Sequence, residues 1–110
     1  MSEATMARVQ AAEACRKHAL DLIDAGQLSE GLMVLRCAVA CNPRNSRAWN
    51  DLGVVLETSG NALEAVRCYR RSIALEPGRS EARQNLGMLL LQIGLAQAFE
   101  SQALTSSFAF

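Results

Sequence analysis

The chain has 110 residues, 50% of them apolar and only 5% aromatic, which suits one small domain of close-packed helices and is too apolar for a disordered protein. Its 11 basic and 11 acidic residues cancel, and because nucleic-acid and anionic-membrane surfaces normally carry a basic surplus, neither partner is expected. The sequence shows no apolar run of membrane-spanning length and no secretory pattern, so no membrane insertion and a cytoplasmic location are expected.

Helical periodicity and short turns predict six helices in chain order. They are expected at about residues 5–25, 28–41, 46–59, 62–75, 80–93 and 96–107, with residues 1–11 leading into the first. Because the connections are short, neighbouring helices should be antiparallel. Asn61, followed by Glu64, predicts a capping box at the start of the fourth helix.

The sequence matches itself when it is shifted by 34 residues. The positions that fall into register are Gly26, Gly60 and Gly94; Leu22, Leu56 and Leu90; Ala19, Gly53 and Gly87; and Pro43 and Pro77. A period of this length indicates one helical hairpin stacked on copies of itself. The small residues should let the two helices of each hairpin cross closely, and the leucines should fill the space one turn later.

The middle copy carries the most specific pattern. Trp49-x2-Leu52-Gly53-x2-Leu56 is followed by Ala65-x3-Tyr69 and then a proline, and this resembles the tetratricopeptide repeat (TPR) family. The resemblance implies an all-α fold, a right-handed α-solenoid of three antiparallel helix hairpins. The expected repeats cover residues 12–45, 46–79 and 80–110.

The two outer copies depart from the family pattern. In the first, Cys15 replaces the tryptophan and His18 replaces the first leucine. In the third, bulky Phe99 stands where the middle copy has the small Ala65, and no closing proline follows. The last helix of the third copy is therefore expected to be atypical and to cap the stack.

The family resemblance implies a concave face that holds a peptide or helix of a partner protein. The predicted partner-binding residues are Glu13, Arg16, Lys17, Leu20, Asp24, Arg47, Asn50, Asp51, Val54, Glu57, Thr58, Glu81, Gln84, Asn85, Met88 and Gln92. Leu20, Val54 and Met88 should supply apolar contact, and the amides should bond the backbone of the partner. Replacing both Asn50 and Asn85 by alanine should then weaken partner capture without changing helical content.

One subgroup of the family binds a C-terminal carboxylate through cations and amides. The matching positions here are Arg16, Leu20, Asp51, Glu81 and Asn85. Two acids and a leucine stand where that subgroup needs cations or amides, and the acids would repel a carboxylate. A binding mode of that kind is therefore disfavoured, and the expected function is a scaffold-like or chaperone-like interaction module.

The chain offers few residues for catalysis or metal binding. Cys15-x2-His18 and Cys37-x3-Cys41 lie on two helices of one hairpin, so a zinc site is conceivable. The preferred interpretation assigns these four residues to packing and takes the four cysteines, including Cys68, as reduced thiols. His18 is the sole histidine and has no well-placed nucleophile, so no enzyme activity, cofactor or metal is expected.

Two further features leave alternatives open. Arg67, Arg70 and Arg71 form a basic strip that is interpreted as a solvated face, with an acidic partner as the alternative. The C-terminal end carries Phe99, Phe108 and Phe110, which either fold back or associate with another copy. The alternative function is thus a structural module that forms homo-oligomers through its ends or its apolar tail.

Overall fold

The computed structural model describes the backbone of residues 1–108 and the side chains of residues 1–101. This part of the chain has five helices and no strand: α1 (Glu3–Asp24), α2 (Leu28–Cys41), α3 (Ser46–Thr58), α4 (Ala62–Leu75) and α5 (Ser80–Phe108). Each helix packs against its neighbour in sequence, and α3 also contacts α5. The all-α solenoid is confirmed. None of the described helices combines the length and apolarity needed to cross a bilayer.

Two of the turns are built on glycines with positive φ. Gly26 ends α1 with φ 82° and Gly60 ends α3 with φ 86°, a conformation that glycine adopts without steric cost. In both turns the N–H of the residue after glycine donates to the carbonyl five residues earlier, at 2.8 Å. These bonds satisfy carbonyls that the helix end leaves unpaired, so each turn reverses the chain tightly.

The two closed hairpins depend on small residues at the helix crossing. A Cβ added to Gly53 would lie 2.5 Å from the Tyr69 ring, and one added to Gly31 would lie 2.6 Å from Ile23. Tyr69 is 1% exposed and Leu56 is fully buried beside it in the same core. The predicted close crossing is therefore confirmed for α1–α2 and α3–α4.

A buried pair of serines joins α3 to α4. The Ser46 and Ser72 hydroxyls lie 2.8 Å apart, and each also bonds the backbone carbonyl of the other residue, at 3.0 and 2.8 Å. Both side chains are buried, so these bonds satisfy polar groups that water cannot reach. The start of α3 is thereby tied to the end of α4.

The prediction of a third hairpin is wrong for the described part of the chain. Gly94 does not end a helix, since α5 runs unbroken from Ser80 to Phe108. The two real turns contain glycines with positive φ, Gly26 and Gly60, whereas Gly94 keeps a helical backbone. The predicted helices at 80–93 and 96–107 are therefore one helix.

The sequence of α5 also explains why no helix folds back on it. Phe99 occupies the register of Gly31 and Ala65, where the close approach of two helices admits only a small residue and leaves no space for a phenyl ring. Gly87 consequently has nothing within 4 Å of an added Cβ, and Leu90 is 44% exposed. Neither residue has the packing role that was predicted for it.

The predicted capping box at α4 is also wrong. Asn61 precedes the helix, but its side chain makes no capping hydrogen bond. The Glu64 carboxylate instead accepts two hydrogen bonds from Arg36 of α2, at 2.7 and 3.1 Å. The Asn61 N–H, which Glu64 would accept from in a capping box, already donates to the Leu56 carbonyl at 2.8 Å, so Glu64 has no cap to complete.

Candidate functional site

The predicted partner-binding residues lie on α1, α3 and α5, and two hydrogen bonds link these helices side by side. Arg16 Nη1 donates to Asp51 Oδ2 at 2.9 Å, and Asn85 Nδ2 donates to Asn50 Oδ1 at 3.0 Å. Both bonds connect residues 35 positions apart. The three helices therefore present one continuous surface, which we call the inner face.

The two inter-helix bonds occupy equivalent positions in the repeat. Arg16 and Asn50 share one register, and Asp51 and Asn85 share the next. Each bond thus joins a position of one repeat to the following position of the next repeat. Gln84 occupies the register of Arg16 and Asn50 in the third repeat, and it is exposed.

Arg16 is the centre of an ion-pair cluster at the α1 end of the inner face. Its guanidinium makes two hydrogen bonds to Glu13, at 2.7 and 3.0 Å, besides the bond to Asp51. The Asn45 amide also donates to Glu13, at 2.9 Å. Chiefly through the hydrogen bond from Arg16, the pKa of Glu13 falls from 4.5 to about 2.

Burial has the opposite effect on the pKa of Asp51, the other carboxylate bonded to Arg16. The pKa of Asp51 is raised, because the loss of solvation outweighs the hydrogen bond from Arg16. The pKa of Arg16 is itself raised, first by the hydrogen bond to Glu13. Arg16 therefore remains a cation that compensates two carboxylates, and its donors face the protein.

Several other predicted residues are also engaged within the protein. Glu57 accepts a hydrogen bond from the Tyr69 hydroxyl at 2.8 Å, and Thr58 Oγ1 donates to the Val54 carbonyl at 2.9 Å. Asn50 is 7% exposed and bonded to Asn85. The predicted polar residues that remain exposed are Lys17, Asp24, Arg47, Thr58, Glu81, Gln84 and Gln92.

An apolar row runs along the inner face between these polar groups. Val54 is 42% exposed and Met88 is 58% exposed, and Leu20 is half-buried in the same register of α1. Exposed apolar side chains at a regular interval are costly to leave in water and are typical of an interaction surface. The surface can therefore offer apolar contact flanked by charges of both signs.

The cysteines and the histidine do not converge. Cys37, Cys41 and His18 are exposed, Cys15 is half-buried and Cys68 is buried, so the packing role suits only the last two. Burial raises the pKa of the Cys68 thiol to about 11. Among the residues that the structure describes, no three His, Cys, Asp or Glu side chains are grouped as metal ligands would be.

Comparison with known proteins identifies the repeat. Residues 38–67 match the tetratricopeptide repeat family. The chain is 31% identical over 93 residues to Protein FlbA of Caulobacter vibrioides, covering 84% of this chain and 16% of that protein. It is 37% identical over 59 residues to the peroxisomal targeting signal receptor of Kluyveromyces lactis, covering 54% of this chain and 10% of the receptor. The chain thus spans a small part of these relatives.

Solved structures show the same fold. The second TPR of Spaghetti (RPAP3), bound to the HSP90 peptide SRMEEVD, matches with a TM-score of 0.80 at 18% identity, covering 94% of this chain and 98% of that one. The MamA protein matches with a TM-score of 0.72 at 25% identity, covering 79% and 48%. At this level of identity the first match establishes the architecture alone.

Proposed function

This chain is a tetratricopeptide repeat protein, a kind of protein–protein interaction module, and we propose that it binds a peptide or helix of a partner protein on the inner face. The observation that carries the proposal is the apolar row of Leu20, Val54 and Met88, in which Leu20 is half-buried and the other two are exposed. An apolar segment laid across α1, α3 and α5 would cover these side chains together.

The polar residues divide into two roles in this proposal. Arg16, Asp51 and the Asn50–Asn85 pair hold the three helices in register, since their hydrogen bonds are made within the protein. Lys17 and Gln84 are exposed beside the apolar row and are the groups that meet the partner. Two similar proteins, a targeting signal receptor and a TPR bound to a peptide, support the same kind of partner.

The proposed activity is binding without catalysis. His18 is exposed on α1, and it makes no hydrogen bond to any residue that the structure describes. A general base needs a nucleophile within hydrogen-bonding reach, and this histidine has none there. We propose that the module acts in the cytoplasm.

The apolar row can be tested by charge insertion. Val54→Glu combined with Met88→Glu should weaken binding of peptides selected from a random display library by at least about tenfold, because two carboxylates would be buried against apolar groups. Fluorescence anisotropy with the selected synthetic peptides gives the affinity. Met33→Glu is the matched control, since Met33 is 68% exposed on α2. Equal loss in the control, or full binding by the double variant, would move the site elsewhere.

A second candidate function, self-assembly, is favoured by the exposed apolar side chains of α5. Leu91 is 56% exposed, Leu95 is 63% exposed and Phe99 is 74% exposed. Gly87 and Leu90 are the α5 equivalents of Gly53 and Leu56 on α3. In the first two repeats the second helix of the hairpin covers these positions. A helix from a second copy would cover the same positions on α5. The side chains of Phe108 and Phe110, also predicted to take part, lie outside the described residues.

Self-assembly predicts a mass that rises with protein concentration. Leu90→Glu should abolish this rise in sedimentation equilibrium, because a charge would enter the apolar contact. Leu63→Glu provides the control, since Leu63 is 76% exposed on α4 rather than α5. A wild-type protein that stays monomeric at high concentration would rule out this second function and leave the inner-face proposal standing.

A further inference from the structure

A cleft on the other side of the molecule stands apart from the inner face. It has a volume of about 910 Å³ and lies between α2 and α4, with Trp49 and Leu52 of α3 contributing to its lining. Val39 and Leu63 add apolar surface, and Leu63 is 76% exposed. A volume of this size is typical of a binding site rather than of a packing defect.

Three arginines line this cleft, and each has a different environment. Arg36 is held by the bidentate pair with Glu64. The Arg71 guanidinium lies 5.6 Å from the centre of the Trp49 ring, within the range of a cation–π contact. Arg67 is exposed and makes no hydrogen bond or ion pair with the residues that the structure describes. Its charge is available to a ligand.

The basic lining continues into a second cavity. A space of about 450 Å³ shares Arg71 with the cleft and adds Arg8 and Arg44. The two linings together hold five arginines and one carboxylate, that of Glu64. The net charge of the whole chain is zero, so acidic residues must dominate elsewhere, and several of them lie on the inner face. Charge is segregated between the two sides of the solenoid.

We propose that the cleft between α2 and α4 binds an acidic segment of a partner protein that carries apolar side chains. The arginines would attract the carboxylates, and Val39, Leu63 and Trp49 would receive an apolar side chain. Arg36 and Glu64 are already paired, so Arg67 and Arg71 are the principal ligands. This site is separate from the inner face, and its failure would leave the inner-face proposal intact.

The lining favours a peptide over a nucleic acid or a lipid surface. Glu64 lies in the cleft beside Arg36, where it would repel a continuous row of phosphates. The apolar side chains have no counterpart on a phosphate backbone. A peptide can place carboxylates at Arg67 and Arg71 and an apolar side chain between them, so its spacing can match this surface.

Trp49 provides a direct reporter of occupancy, since it is the single tryptophan of the chain and lines the cleft. The probe is a synthetic peptide that repeats the unit Glu-Glu-Leu, titrated while the emission of Trp49 is followed. A saturable change is expected at physiological salt. The same peptide with glutamine in place of every glutamate should bind at least about tenfold more weakly, because the charge-assisted bonds are lost.

Arg67→Glu should weaken binding of the peptide about tenfold or more, since it reverses a charge that makes no hydrogen bond or ion pair with the described residues. Arg83→Glu on α5 makes the same charge change away from the cleft and should leave the affinity within about twofold. Circular dichroism verifies that both variants fold, and Arg67→Gln replaces the first variant if it does not.

Four outcomes would overturn the proposal. They are no change of Trp49 emission up to millimolar peptide, equal binding of the glutamine peptide, equal weakening by Arg83→Glu, and tighter binding of a single-stranded oligonucleotide or of phosphatidylserine vesicles than of the acidic peptide. A saturable signal that requires both the glutamates and Arg67 would support it.

Discussion

Gly53→Ala is expected to destabilise the protein by about 1–3 kcal/mol, whereas Gly87→Ala, one period later, is expected to stabilise it by up to about 1 kcal/mol. A Cβ at position 53 would lie 2.5 Å from the ring of Tyr69, and that ring is buried and hydrogen-bonded to Glu57. A Cβ at position 87 would meet nothing within 4 Å.

The two variants should change stability in opposite directions because the helix propensity of alanine is the same at both positions but the packing around them differs. Alanine is favoured over glycine inside a helix by about 1 kcal/mol at both positions. At Gly53 the overpacking against Tyr69 exceeds this gain, since the ring cannot move without disturbing α4. At Gly87 the gain is unopposed because none of the described residues lies within 4 Å of the added Cβ.

Urea unfolding of the two variants and the wild type measures both effects. The midpoint should move down for Gly53→Ala and up for Gly87→Ala, with similar slopes. A destabilised Gly87→Ala would mean that a helix packs over α5 in solution, either from the same chain or from a second copy. The pair therefore also tests the absence of a third hairpin from the described residues.

Arg16→Ala is expected to destabilise the protein by about 1–3 kcal/mol, because it leaves Asp51 without the cation that compensates its burial. Adding Asp51→Asn to this variant should recover part of the loss, since the uncompensated carboxylate is then removed. Arg36→Ala is the matched control. Its pair with Glu64 is 48% and 40% exposed, so its loss should cost less than about 1 kcal/mol.

Equilibrium unfolding of the two single variants, the double variant and the control separates the contributions. If Asp51→Asn lowered the stability of the Arg16→Ala variant further, Asp51 would be stabilising in its own right and the burial argument would be wrong. If Arg36→Ala cost as much as Arg16→Ala, burial would not distinguish the two ion pairs.

The middle of the fold was predictable from the sequence because each signal there agrees with the others. Helices were expected at 28–41 and 62–75, and the structure has them at Leu28–Cys41 and Ala62–Leu75. Gly26 and Gly60 correctly marked turns. Gly94 did not, because α5 continues through it to Phe108, and Phe99 is larger than the small residues found at the close helix crossings.

The site was less predictable, since side-chain partners depend on the spacing between helices. The period of 34 placed Leu20, Val54 and Met88 on one face. The period did not indicate that Arg16 would bond Asp51. Both this bond and the Asn50–Asn85 bond join residues 35 positions apart, which is one more than the period. The basic cleft could not be predicted, because it depends on the distance between α2 and α4, and no local sequence pattern specifies that distance.

The unequal surroundings of the helices have a consequence for the order of folding. In a stack of repeats each hairpin gains most of its stability from its immediate neighbours. The α3–α4 hairpin has neighbours on both sides and contains the buried serine pair, whereas α5 packs on one side only. We therefore expect the α3–α4 hairpin to form early, and α5 to join last and fray first.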